Sequence, residues 1–324
     1  MKSQDSTTRM GPAPVQHSSS TSLGRRFVVR SEGYLLLLPA LVILLFFFLW
    51  PAIYNFILSL QKISLFELAK GGKWVGIDNY VELLRDPMTH LTLRNTIFWL
   101  TIMTVGLRLV LGLAFAQLLN SEALRRWRLT WLARSMVLIP WVTPPVVAVA
   151  AWKWMLHPRF GAINQILLQL GVIDEGIPFL VRTSTVWWAI VAIVVWRELP
   201  FVIITLLAGL QSIPVDLYDA ARVDGASEWR VYLHVTLPLL RPVLVVITLL
   251  TTIWTYNNFV YVWLTTQGGP GNFTQVLATQ MYTEAFTNYR LGYGAAVGVL
   301  MSVTMLLFSI VYFVTVFRRS VGQQ

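Results

Sequence analysis

Apolar residues are gathered into six long stretches, near 34–60, 93–119, 135–156, 184–208, 243–264 and 292–316, with polar segments between them. Crossing about 30 Å of hydrocarbon takes about 20 apolar residues, so each stretch predicts a spanning helix. The fold class expected is therefore all-α and polytopic, with a transmembrane domain over 34–317. Residues 1–33 begin rich in Ser, Thr, Gln and Pro and read as a disordered tail; 318–324 form a short second tail. Arg25, Arg26 and Arg30 before the first apolar run imitate a signal peptide. That run continues past Pro51 to about Leu60 with no small-residue cleavage site, so an uncleaved first span is expected. Six spans put both termini on one side, and the distribution of Lys and Arg favours the cytoplasm for that side.

Several spans carry residues that lipid does not favour. The third holds Pro140, Pro144 and Pro145, and the fourth holds Pro200 just after Arg197 and Glu198. A proline frees a carbonyl that needs another partner, so such helices lie inside a bundle or line a cavity, unless the feature is a simple kink. Arg108 and Arg197 fall near mid-span, where a charge must face the bundle interior, water or an acid. Neighbours on a helix diverge by about 100°, so Arg197 is not expected to pair with Glu198, whereas an Arg108–Glu198 pair is open. In the fifth stretch Thr248, Thr251, Thr252, Thr255 and Asn258 share one helical face, away from Val245, Leu249 and Ile253. That face is either a packing stripe of threonines bonded to their own helix or the wall of a polar pathway. Gly294, Gly298 and Ser302, with Ser309 beyond, form a ridge of small residues suited to close helix packing.

Composition narrows the chemistry. Hydrophobic residues make up 56% and charged residues 12%, too few charges to cover a water-facing surface. There is no cysteine, which removes disulfides and thiolate chemistry, and four scattered histidines do not form a metal-ligand cluster. The net charge of +10 is accounted for by cytoplasmic loops, not by nucleic acid as a partner. Gly71-Gly72-Lys73 has neither the spacing nor the hydroxyl residue of a phosphate loop. An ion-coupled carrier would need ionisable relays, and only Arg108, Lys153, Arg197 and Glu198 qualify. A membrane-embedded enzyme would need a convergent catalytic set, and none is visible.

The segment 209–242 is the longest inner loop and reads as folded. Leu217, Ala220, Ala221 and Val223 predict a short amphipathic helix, with Pro214 in its first turn and Asp216 and Asp219 near its positive end. Asp224-Gly225 stops that helix, and Ser227 is placed to cap a second one that begins at Glu228. Pro238 and Pro242 are expected to bend the chain back into the membrane. The result predicted is a helix–turn–helix knob.

Within this loop Asp219-Ala220-Ala221, Asp224-Gly225-Ala226, Tyr232 and Leu237-Pro238 fall in the register of the EAA loop, and the segment resembles that loop of ABC-importer permeases. Asp219 stands where glutamate is usual, and Tyr232 where phenylalanine is. Further segments resemble carbohydrate permeases of the maltose and glycerol-phosphate type. These are 74–80 with Asp86-Pro87 and Asn95-Thr96, 152–161 with Asn164, 208–214, and 268–272 with Thr274, Tyr282 and Ala285-Phe286. The likeness runs from about 34 to 317 and implies the type I importer permease fold.

It also implies roles. Asp219, Ala220, Ala221, Asp224, Gly225 and Ala226 would dock a cytoplasmic ATPase subunit. Asn258 first, then Tyr256 and Asn257, with Thr255, Tyr261 and Arg197, would lie along the sugar pathway. The implied partners are a second, homologous permease, a dimer of ATPase subunits and an extracytoplasmic solute-binding protein, in a bacterial inner membrane. ATP and Mg would be bound by the ATPase, with no cofactor and no catalytic residue in this chain.

Overall fold

The computed structural model describes residues 37–121 and 130–317. The tails expected at 1–33 and 318–324 lie outside them. The chain divides into two compact units, Met1–Tyr54 and Asn55–Gln324. In the first unit the described chain is the leading part of α1 (Leu37–Ser59), which is apolar all round with its side chains exposed. A helix of that kind is suited to a hydrocarbon solvent and not to water.

The second unit is built from helices with a short hairpin, β1 (Gln61–Lys62) paired antiparallel to β2 (Lys73–Trp74), followed by α2 (Asp78–Arg85). α3 (Pro87–Asn120) begins earlier than the apolar run because Asp86 accepts a hydrogen bond from the Met88 amide, with Pro87 at the first helical position. The expected third span is two helices, α4 (Thr130–Val142) and α5 (Pro145–Met155), bent by 95°. Pro145 forces Pro144 out of the helical region, which makes the break. α6 (Ala162–Gln169) leads to α7 (Val186–Gln211), and α8 (Val215–Val223) to α9 (Glu228–Tyr256). α10 (Val260–Thr266), α11 (Leu277–Tyr282) and α12 (Leu291–Val316) complete the chain. Among the described residues five helices are long and apolar enough to cross a membrane, six when the bent pair counts as one span.

The expectations for the loop and the fifth span need correction. The second loop helix is not separate: from Glu228 it continues through a wider π-type turn at Tyr232–Thr236 into the fifth span, and Pro242 sits inside it without ending it. Ser227 takes the cap position, but its side chain makes no capping bond, and Pro214 lies one place before the first turn of α8. The fifth span is not one helix over 243–264, because it ends at Tyr256 and restarts at Val260.

α7 is the central element, packed on α3, α4, α9 and α10. Its first half joins one apolar cluster, with Trp187, Ile190 and Ile193 against Tyr261, Val262, Leu277 and Ala296. Its second half joins another, with Val202, Leu206 and Leu210 against Ala116, Leu240 and Ile247. Arg197 and Glu198 fall between the two. Asn95 on α3 donates to the carbonyls of Phe273 and Gln275, fixing the loop after α10.

The small ridge of α12 packs within the chain. A Cβ on Gly294 would come 2.8 Å from that of Ala285, and one on Gly298 would come 3.1 Å from the Met281 sulfur. Ser302 is exposed and bonds back to its own helix. Gly292 is tighter still: a Cβ there would lie 1.9 Å from the Gln61 carbonyl oxygen. Gly292→Ala is expected to destabilise the protein by about 1–3 kcal/mol, because backbone must move. Gly106→Ala on α3, with nothing within 4 Å of its Cβ position, is the control. Thermal unfolding of the two purified variants checks this, and equal midpoints would refute it.

Candidate functional site

Where the two apolar clusters meet, the chain leaves a cavity of about 230 Å³. α3 contributes Arg108, α4 Trp141, α7 Val194, Arg197 and Glu198, and α9 Trp254 and Thr255; Asn258 in the break and Tyr261 on α10 complete the lining. In the break, Asn258 Oδ1 accepts the Tyr261 amide at 3.2 Å, a bond from the residue before the Phe259 cap position into the first turn of α10. Trp141 stacks on Phe201, and Phe201 lies against Trp254, so aromatic surface flanks the cavity.

The polar groups form two linked sets. Arg197 Nη1 donates to Glu198 Oε1 at 2.7 Å, and Tyr261 Oη donates to the same oxygen at 2.5 Å. Arg197 Nε reaches the Thr143 carbonyl at 3.4 Å, which the α4–α5 bend leaves without a helical partner. Arg108 is 2% exposed; its Nε donates to the Thr104 carbonyl and its Nη2 to Thr255 Oγ1.

Adjacent Arg197 and Glu198 therefore do pair, contrary to the expectation from helix geometry. The 100° divergence describes Cβ directions, while the long guanidinium arm folds back across the helix surface. Arg108 makes no ion pair with Glu198; it turns to hydroxyl and carbonyl oxygens.

The pathway residues named from sequence divide. Arg197, Thr255, Asn258 and Tyr261 share the cavity. Tyr256 does not: it is buried in the first cluster with its hydroxyl 2.5 Å from Thr304 Oγ1 on α12. Asn257 is exposed at the end of α9, its Nδ2 donating to the Ile253 carbonyl. The threonine stripe divides too, since Thr248 and Thr251 bond to carbonyls of their own helix whereas Thr255 receives Arg108. Glu198 and Trp141 were not named as site residues. A carboxylate at mid-span was the available signal for Glu198; nothing in the local sequence singles out Trp141.

At the other functional segment, α8 ends on Asp224, and Gly225 at φ +74° turns the chain into α9. Arg222 forms ion pairs with Asp219 at 3.5 Å and Glu228 at 3.3 Å, clipping the two arms together. Val215, Leu217, Val223 and Trp229 are all exposed, Val223 at 88%. The six residues named for docking thus lie along the end of α8 and the turn after it, beside apolar side chains that are uncovered among the described residues.

Residues 108–321 match the model of the family described as "Binding-protein-dependent transport system inner membrane component". The chain belongs to this family, the membrane-spanning permeases of binding-protein-dependent importers. It is 38% identical to the trehalose/maltose transport system permease protein MalF of Thermococcus litoralis over 291 residues, covering 89% of this chain and 94% of that one. It is 34% identical to the diacetylchitobiose uptake system permease protein DasB of Streptomyces coelicolor, covering 84% and 83%. A solved bacterial ABC transporter involved in the import of the acidic polysaccharide alginate has the same fold. Its TM-score is 0.74 at 23% identity, covering 91% of this chain and 98% of that one. The multi-pass permease is thus the class, and the ion-coupled carrier has no support.

Proposed function

We propose that this chain lines half of the translocation pathway of an ATP-driven importer for a sugar or sugar-like solute. The cavity at the break in the fifth span carries the reading. Sugars bind through hydroxyl hydrogen bonds and ring stacking, and the cavity combines Asn258, Thr255 and Tyr261 with exposed tryptophan faces. The names of the two curated relatives, for trehalose or maltose and for diacetylchitobiose, agree with that chemistry. The other half comes from a second permease and delivery from an extracytoplasmic solute-binding protein. ATP is bound with Mg and hydrolysed in a pair of ATPase subunits docked on residues 219–226. Both termini face the cytoplasm of a bacterial inner membrane.

The test is ATP-dependent uptake of maltose, trehalose and diacetylchitobiose by the full importer in proteoliposomes. Asn258→Ala is expected to lower uptake about tenfold, the worth of one well-placed hydrogen bond. Asn257→Ala is expected to stay within about twofold, since its side chain serves only its own helix. Equal effects of the two would remove the cavity from the pathway.

A further inference from the structure

The cavity is electrostatically unbalanced. Two guanidinium groups and one carboxylate face it, and the carboxylate is already taken. Glu198 accepts from both Arg197 and Tyr261. Among the described residues no carboxylate lies within ion-pair distance of Arg108. Its partners are one hydroxyl and one carbonyl, both neutral. Arg108 is nevertheless almost wholly buried, midway along a membrane-spanning helix. The charge of Glu198 acts on Arg108 only from beyond contact distance and is shared with Arg197. A buried guanidinium so weakly compensated is costly, and intramembrane charges of this kind mark binding sites and pathways.

We propose that Arg108 recognises an anionic group of the transported solute, so that the substrate class is an acidic sugar bearing a carboxylate, sulfonate or phosphate. The inference rests on the sugar-importer reading above and adds a charge to the substrate. The geometry is suited to it. Arg108 is anchored through Nε and Nη2, which leaves Nη1 and the remaining Nη2 hydrogen to meet an oxyanion. At about 30 Å³ per water the cavity holds roughly seven waters, comparable with one sugar unit. Asn258 and Thr255 then meet ring hydroxyls while Trp254 and Trp141 offer stacking faces.

Glucose and glucuronate differ at one carbon, so they isolate the charge. Their binding to the purified permease–ATPase assembly in nanodiscs, read from the thermal midpoint against sugar concentration, is the test. Glucuronate is expected to bind roughly ten- to hundredfold more tightly than glucose, the range for a charge-assisted hydrogen bond. Arg108→Gln is expected to remove that preference, and Arg108→Lys to keep part of it, which separates charge from packing should the glutamine variant assemble poorly. Equal binding of the two sugars, no stabilisation by glucuronate, or a preference that survives Arg108→Gln overturns the inference. The sugar reading is judged apart from it, by the Asn258 uptake experiment with glucuronate offered beside the neutral sugars. An importer that carries maltose through Asn258 but ignores glucuronate loses only the acidic substrate, whereas loss of the Asn258 effect as well removes both.

Discussion

Replacement of Glu198 by alanine is expected to destabilise the permease by about 2–3 kcal/mol, less than the loss of one partner from a fully buried ion pair, because the Arg197–Glu198 side chains keep 17 and 18% exposure. The carboxylate serves two donors, Arg197 and Tyr261, at 2.7 and 2.5 Å. Its loss leaves two uncompensated guanidinium groups around one small cavity and strands the tyrosine hydroxyl. Glu198→Gln keeps an acceptor for Tyr261 but no charge, and is expected to fall between alanine and wild type. Replacing Arg197 and Glu198 together by leucine is expected to harm the fold less than Glu198→Ala alone, since it leaves no stranded charge at that pair. Thermal midpoints and yields of the purified assembly measure all three. A Glu198→Ala permease as stable as wild type would show that the pair is solvated and the cavity wet.

Gly225→Val is expected to leave membrane insertion intact and to abolish ATP-driven uptake. The backbone there is left-handed at φ +74°, which costs a β-branched residue about 1–2 kcal/mol or more. Among the described residues no atom lies within 4 Å of the position a Cβ would take, so the side chain meets none of them. The valine instead shifts the turn and adds bulk on the face proposed to dock an ATPase subunit. Gly225→Asn separates these effects, because asparagine tolerates the left-handed backbone. Sugar-stimulated ATP turnover in the assembled importer is the readout. Asparagine restoring turnover identifies the turn as what matters, and asparagine failing identifies close approach. Normal uptake by the valine variant would remove residues 219–226 from the docking role.

Much of the architecture was legible because lipid permits so few solutions. Twenty apolar residues in a row leave little choice but a spanning helix, so all six stretches correspond to helical segments. The sharp bend in the third was announced by Pro144-Pro145, and the turn of the loop by Asp224-Gly225. The break in the fifth was not. The residues from Tyr256 to Phe259 include neither proline nor glycine, so no local signal marks the stop, and Asn258 bonds into the first turn of the next helix. Periodicity therefore extended the threonine face two residues too far, and it was the resemblance, not the helical face, that added Tyr256 and Asn257 to Asn258. Asn258 reaches the cavity through the break, not through the stripe. The Arg197–Glu198 pair was missed because spacing rules describe where side chains leave the backbone, not how far a long one travels.

The correction at the loop has a mechanical side. α9 runs from Glu228, three residues after Gly225, to Thr255, which holds Arg108, in one helix. At 1.5 Å per residue that separation is about 40 Å. A rod of this length is a lever arm: a tilt of about 5° at the loop sweeps the far end through about 3–4 Å. That travel exceeds the reach of a hydrogen bond, so a slight rocking of the knob is enough to separate Thr255 from Arg108 and change the shape of the cavity. The π-type turn at Tyr232–Thr236 and the proline at 242 lie close to the loop, where the rod would flex and where its fulcrum would sit.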